Sequence, residues 1–301
     1  AMNVNTTGAN NTAVGSYALD ANTTASNNTA IGYGALTENT TGDQNAALGK
    51  SALAVNTTAS NQTAMGFNAL AANTTGAANS ALGSSALAAN TTANDNTAMG
   101  AGALQANTTG ASNTAVGRMA LFTTTTRSDQ TAIGYKALYA ANDSSVYNTA
   151  LGFQALMALT TGTRNIAIGW EAGVALTTAN RCTIIGQNAG QATLTGDDNV
   201  IIGRETGYDL TSGASNTSVG NYTLQNTTTG SNNVAIGMEA LQANTTASNN
   251  TAVGIKALEA NTTGSENTAV GRIALDANTT GIENTALGAG ALSANTTASN
   301  N

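Results

Sequence analysis

The side chains that could do chemistry in this chain are few and mostly solitary. Its 301 residues hold no histidine, one cysteine, sixteen acids and nine bases. Cys182 has no partner for an intrachain disulfide. It stands in a row otherwise held by Asn or Gln and reads as a small substitute rather than a reactive thiol. Asp20, Glu38, Asp276 and Glu283 change from one repeat to the next, and no base stands beside a nucleophile. The sequence therefore offers no catalytic residue and no cofactor site, and the chain reads as a non-enzyme. Asp197-Asp198 with Asp209 could attract a cation, but the glycine-rich, Asp-bearing calcium nonapeptide of other β-rolls is absent, so no metal site is expected.

The most repeated candidates are asparagines. Asn5, Asn22, Asn39, Asn56, Asn73, Asn90, Asn107, Asn244, Asn261, Asn278 and Asn295 each open an Asn-Thr-Thr segment that satisfies the N-glycosylation acceptor pattern. Two readings follow: loops that carry sugar at regular intervals, or turns in which Asn and the Thr hydroxyls bond the backbone unaided. The paired threonines, Thr6-Thr7, Thr23-Thr24 and onward, would stack into rows. Flat ice-binding faces also use threonine rows, although there the threonines alternate along a strand and here they are adjacent. Tyr17, Tyr33, Phe67, Tyr135, Phe153, Trp170 and Tyr222 follow a repeated glycine. They could stack on sugars; packing at a corner against neighbouring repeats is the favoured reading.

What positions these residues is a repeat. A glycine recurs every seventeen residues from Gly15 to Gly288, with one eighteen-residue step between Gly134 and Gly152. In register, the consensus is Asn-Thr-Ala-aliphatic-Gly, two variable residues, Ala-Leu, a variable residue, then Ala-Asn-Thr-Thr-(Gly/Ala). A short period held throughout predicts an all-β parallel β-solenoid, a β-roll or β-helix with one coil per repeat, in a single domain 1–301 of about 17 to 18 coils. Residues 118–230 are less regular, and a one-residue insertion falls near Asn142. Coils rising about 4.8 Å each would make an elongated rod on the order of 80 Å long. The chain looks like a segment of a longer array.

In Asn-Thr-Ala-Val-Gly, the period of two sends Thr and Val to one face and Asn and Ala to the other. Two short strands per coil are expected, Thr12–Val14 and Ser16–Leu19 in the first. The aliphatic row before the glycine (Val14, Ile31, Leu48, Met65 and onward) is read as core together with the leucine row from Leu19. The alanine row from Ala13 would then face outward as an association strip. The opposite assignment, alanines inside and aliphatics at an interface, fits the same alternation. The asparagine row from Asn11 is expected to form an amide ladder from coil to coil.

Charged residues make up only 8% of the chain, and the formal net charge is −7. No basic stripe exists to neutralise phosphates, so nucleic acid is not an expected partner. No apolar run reaches the roughly 18 residues that span a bilayer, so no membrane segment is expected.

At Asn232-Asn233-Val234-Ala235-Ile236-Gly237 and Asn28-Thr29-Ala30-Ile31-Gly32 the sequence resembles the head repeats of trimeric autotransporter adhesins. It is equally similar to the repetitive shafts of bacterial and phage tail fibres. The resemblance covers nearly every coil, although the adhesin repeat is shorter, about fourteen residues, so that Asn-Thr-Thr looks like an extended return loop. It implies a left-handed β-roll, a homotrimer and an extracellular, cell-surface or virion-fibre location. The expectation is a structural fibre or adhesin-like shaft that displays its loops by multivalency, associates with itself as a trimer or end to end, and meets glycans or a host surface. The alternative is an ice- or carbohydrate-binding solenoid that uses stacked Thr and Asn rows.

Overall fold

A computed structural model describes residues 1–142 and 146–301. The insertion near Asn142 falls partly on residues 143–145, outside the described residues. Two compact units divide the chain, Ala1–Asn148 and Thr149–Asn301. The described residues contain seventeen three-residue strands and no helix: β1 (Thr12–Val14) to β8 (Thr131–Ile133) in the first unit, β9 (Thr149–Leu151) to β17 (Thr285–Leu287) in the second. Within each unit every strand pairs in parallel with the next, one repeat on, so that Thr12 faces Thr29 and Val14 faces Ile31. The same register holds in the second unit, where Thr251 faces Thr268. The fold is a parallel β-solenoid.

The repeated glycine is required where each strand ends. At Gly32 φ is +135°, and a Cβ there would stand 2.5 Å from the carbonyl oxygen of Gly49 in the next coil. No side chain fits so close to a backbone oxygen. Beyond the glycine, left-handed residues alternate with ordinary ones: Tyr17 at φ 59° and Leu19 at φ 49°, Ser51 at 58° and Leu53 at 51°. The segment Ser16–Leu19, expected as a second strand, is therefore a turn. An extended strand cannot hold positive φ at every second residue. A left-handed leucine costs roughly 1–2 kcal/mol, which burial of its side chain, about 1.5–3 kcal/mol, offsets.

The strand alternation is as expected, but its two faces are reversed with respect to the core. Ala30, Ala64 and Ala98 are fully buried, whereas Val14 is 56%, Leu48 47% and Met99 43% exposed. The reason is volume. Leu36, Leu53 and their equivalents occupy the coil interior with the preceding alanine. Only a methyl group then fits on the inward side of the strand. In the second unit the core is a lattice of such rows: Ala252, Ala257 and Leu258, repeated one coil on as Ala269, Ala274 and Leu275.

The irregular middle obeys the same constraint in inverse form. Gly173, Gly190 and Gly207 replace the inward leucine, and Ile184 and Ile201 replace the inward alanine. Bulk moves from one wall of the coil to the other while the interior stays filled.

Candidate functional site

The Asn-Thr-Thr asparagines lie inside the coil. Nine of the eleven, Asn22, Asn39, Asn56, Asn73, Asn90, Asn107, Asn244, Asn261 and Asn278, are fully buried. Asn56 Nδ2 donates to Asn39 Oδ1 of the preceding coil at 2.9 Å and to the Ala59 carbonyl at 3.0 Å. Asn107 repeats the pattern with Asn90 Oδ1 at 3.1 Å and the Gly110 carbonyl at 2.9 Å. Both amide hydrogens are thus committed, and the folded coil leaves no nitrogen open to a glycan at these nine positions. Burial and pairing favour the reading of the row as turns that satisfy themselves over the reading as sugar-bearing loops. Asn5 is exposed and Asn295 half-buried. Each keeps the bond to the carbonyl three residues on.

The second amide row, from Asn11, is also internal, and it links coils through the backbone. Asn28 N–H donates to Asn11 Oδ1 at 2.9 Å, and Asn28 Nδ2 donates to the Gly42 carbonyl at 3.0 Å. Asn45 continues the ladder on Asn28 Oδ1. Two buried amide stacks therefore run within the coils where large side chains would otherwise be needed. Along both stacks the repeat itself supplies the hydrogen-bond partners, as at Asn56 and Asn28.

The paired threonines divide their roles. Thr23 Oγ1 donates to the Thr40 carbonyl at 3.2 Å and Thr40 Oγ1 to the Thr57 carbonyl at 3.0 Å, so the first row is bound to backbone. The second row, Thr24, Thr41 and Thr58, is exposed.

The outward face of the strands is partly exposed along the ladder. Its two rows are the first and third strand residues, mostly Thr and an aliphatic, and none of the seventeen described strands contains a charged residue. In the first unit the aliphatic row is Val14, Ile31, Leu48, Met65, Leu82, Met99, Val116 and Ile133. It forms a continuous apolar stripe in register along the ladder, of the kind that marks an association surface.

The remaining candidates are local. Cys182 is buried, its thiol pushed up to about 11, mainly by burial. Asp197 and Asp198 face Arg181, whose guanidinium lies 3.2 Å from the first carboxylate and 2.6 Å from the second. The hydrogen bond from Arg181 holds the Asp198 carboxyl below its ordinary range. The aromatics after the glycine pack across coils at the corner: Tyr17 lies edge-on to Tyr33 at 5.6 Å, and Phe153 stacks on Trp170 at 6.0 Å. Glu171, Asn188 and others at the second position after the glycine take the left-handed conformation there, which sequence pattern did not reveal.

These features define the class: an all-β repeat protein with a parallel β-solenoid fold. No known family model matches the chain, and no curated protein does.

Proposed function

We propose that the chain is a structural element, an elongated extracellular shaft of fibre or adhesin type that associates with further copies of itself, three to an assembly. The observation that supports this most directly is the charge-free stripe of exposed aliphatics on the strand face. A soluble repeat with room for polar residues there at every coil instead carries Val, Ile, Leu or Met. Covering one half-exposed aliphatic contributes roughly 1 kcal/mol, so even eight coils supply a substantial interface. The strip that associates is the aliphatic row, and the alanines hold the coil together. The function of such a shaft is mechanical and positional, and its chemistry is carried by what it displays.

Sedimentation equilibrium and native mass measurement on the full chain test this reading. The expected result is a discrete mass of three chains. With Met65→Asp and Met99→Asp together, the expected result is loss of the assembly and retention of the β-rich circular dichroism spectrum. A monomer at all concentrations, or an assembly indifferent to both aspartates, would overturn it.

A further inference from the structure

Three of the nine cations in this acidic chain are paired with carboxylates among the described residues. Arg181 is held by Asp197 and Asp198, Arg204 by Glu205, and Lys256 by Glu239 and Glu259. A different arrangement occupies one corner of the first unit. Lys136 Nζ lies 5.5 Å from the ring centre of Tyr135 and 5.1 Å from that of Tyr139. The Arg118 guanidinium, one coil earlier, lies 5.9 Å from the Tyr135 ring. Phe122 stacks on Tyr139 at 5.4 Å with an interplanar angle of 7°. A Cβ on Gly102 would come within 3.3 Å of the Phe122 ring, so the glycine leaves the ring room to lie flat over the preceding coil.

Among the described residues, neither Arg118 nor Lys136 has a carboxylate partner. The only acid between residues 101 and 142 is Asp129, in the return loop. Arg118 is exposed, and Lys136, Tyr135 and Tyr139 are half-buried. The result is two positive charges held against flat rings, with no carboxylate partner among the described residues, in a chain of net charge −7. Cations stacked on rings keep their charge and part of their hydrogen-bonding capacity, and the ring fixes where they stand.

We propose that this corner binds an acidic saccharide. The apolar face of a sugar ring packs on an aromatic plane, and a carboxylate on the sugar pairs with Lys136 or Arg118. Tyr139 and Phe122 provide the platform. Tyr135 sits between the two cations. A nucleic acid is the poorer fit, because its affinity grows with the number of phosphates neutralised and this corner offers two cations in an acidic chain. The site goes beyond a structural role, and it would give the shaft a specific point of attachment among otherwise uniform coils.

The test is titration of the full chain with tetragalacturonate, maltotetraose and a thymidine tetranucleotide at low and moderate salt. Tetragalacturonate is expected to bind, more weakly as salt rises, and Arg118→Gln with Lys136→Gln to weaken it tenfold or more. Tyr139→Ala is expected to weaken it as well. Arg204→Gln, which removes a cation that lies over Tyr222 but is already paired with Glu205, is expected to leave binding unchanged. The changed side chains lie outside the coil core, so the unfolding midpoint serves as the control for folding. No binding at millimolar tetragalacturonate, equal binding of maltotetraose, tighter binding of the tetranucleotide, or full binding by the double variant would each overturn the proposal. None of these outcomes depends on how many chains assemble.

Discussion

Ile184 reaches across its coil toward Gly190, so that a Cβ added to the glycine would stand 3.5 Å from Ile184 Cδ1. In the regular coils the same two positions hold Ala and Leu. The pair therefore exchanges bulk between opposite walls of one narrow interior. Gly190→Leu alone is expected to destabilise the protein by about 1–3 kcal/mol through overpacking. Ile184→Ala alone is expected to cost about 2–5 kcal/mol through the void it leaves. Combined, the two should cost less than their sum, with a coupling of about 0.5–3 kcal/mol. Chemical denaturation of the four proteins measures it, and strict additivity would refute the exchange.

The amide stack makes a second, sharper prediction, because it contains its own defect. At Asn107 the row ends on Thr124, and both Asn107 Oδ1 and Thr124 Oγ1 are buried without a hydrogen bond among the described residues. Thr124→Asn should extend the stack and raise stability by about 1 kcal/mol. Asn56→Ala does the reverse: it removes donors from Asn39 Oδ1 and the Ala59 carbonyl and the acceptor of Asn73 Nδ2, at a cost of roughly 2–3 kcal/mol. Urea unfolding of both variants against the parent decides the matter. A neutral Asn56→Ala would mean that the stack contributes packing alone.

Cys182 allows a test by pH. Its thiol titrates at about 11 in the fold against an ordinary 9.0, chiefly through burial. The folded state therefore prefers the neutral thiol. Its contribution to stability is present below pH 9 and is lost as pH rises toward 11. Labelling with iodoacetamide at pH 8 is expected to be negligible in native protein and prompt in denaturant. Equal rates in the two states would show that the thiol is open to solvent.

Much of the fold can be read from the sequence because the repeat fixes it. The period, the glycine bend, the Thr-Ala-aliphatic strand and its alternation follow from residue spacing, and Thr12–Val14 is where spacing puts it. The sense of the alternation is not so determined. Val14 and Ala13 obey the same period of two whichever faces inward, and hydrophobicity favours the wrong one. The deciding quantity is the volume already taken by Leu19 and Leu36, which belongs to the closed coil and not to any one segment. The second strand failed for a related reason. Left-handed conformations at Tyr17 and Leu19 leave no mark in composition, since neither residue favours them.

The burial of Asn22 and its successors has the same origin. Asn-Thr-Thr carries every local sign of an exposed turn. Only when identical turns are superposed do the amides satisfy one another, and only then is it favourable to bury them. A motif that is polar in one repeat becomes interior material in ten.

The hydrogen bonds of that stack all point one way. Asn22 donates to Asn5, Asn39 to Asn22, and so on to Asn107, while in the second unit Asn261 donates to Asn244 and Asn278 to Asn261. Each column of side chains is therefore a vector, its amide dipoles summing along the ladder instead of cancelling. A copy laid alongside in the reverse sense would run its dipoles against those of its neighbour. Two such columns in step repel weakly and in opposition attract, so a second copy laid alongside would feel the sense of the stack through groups it does not touch.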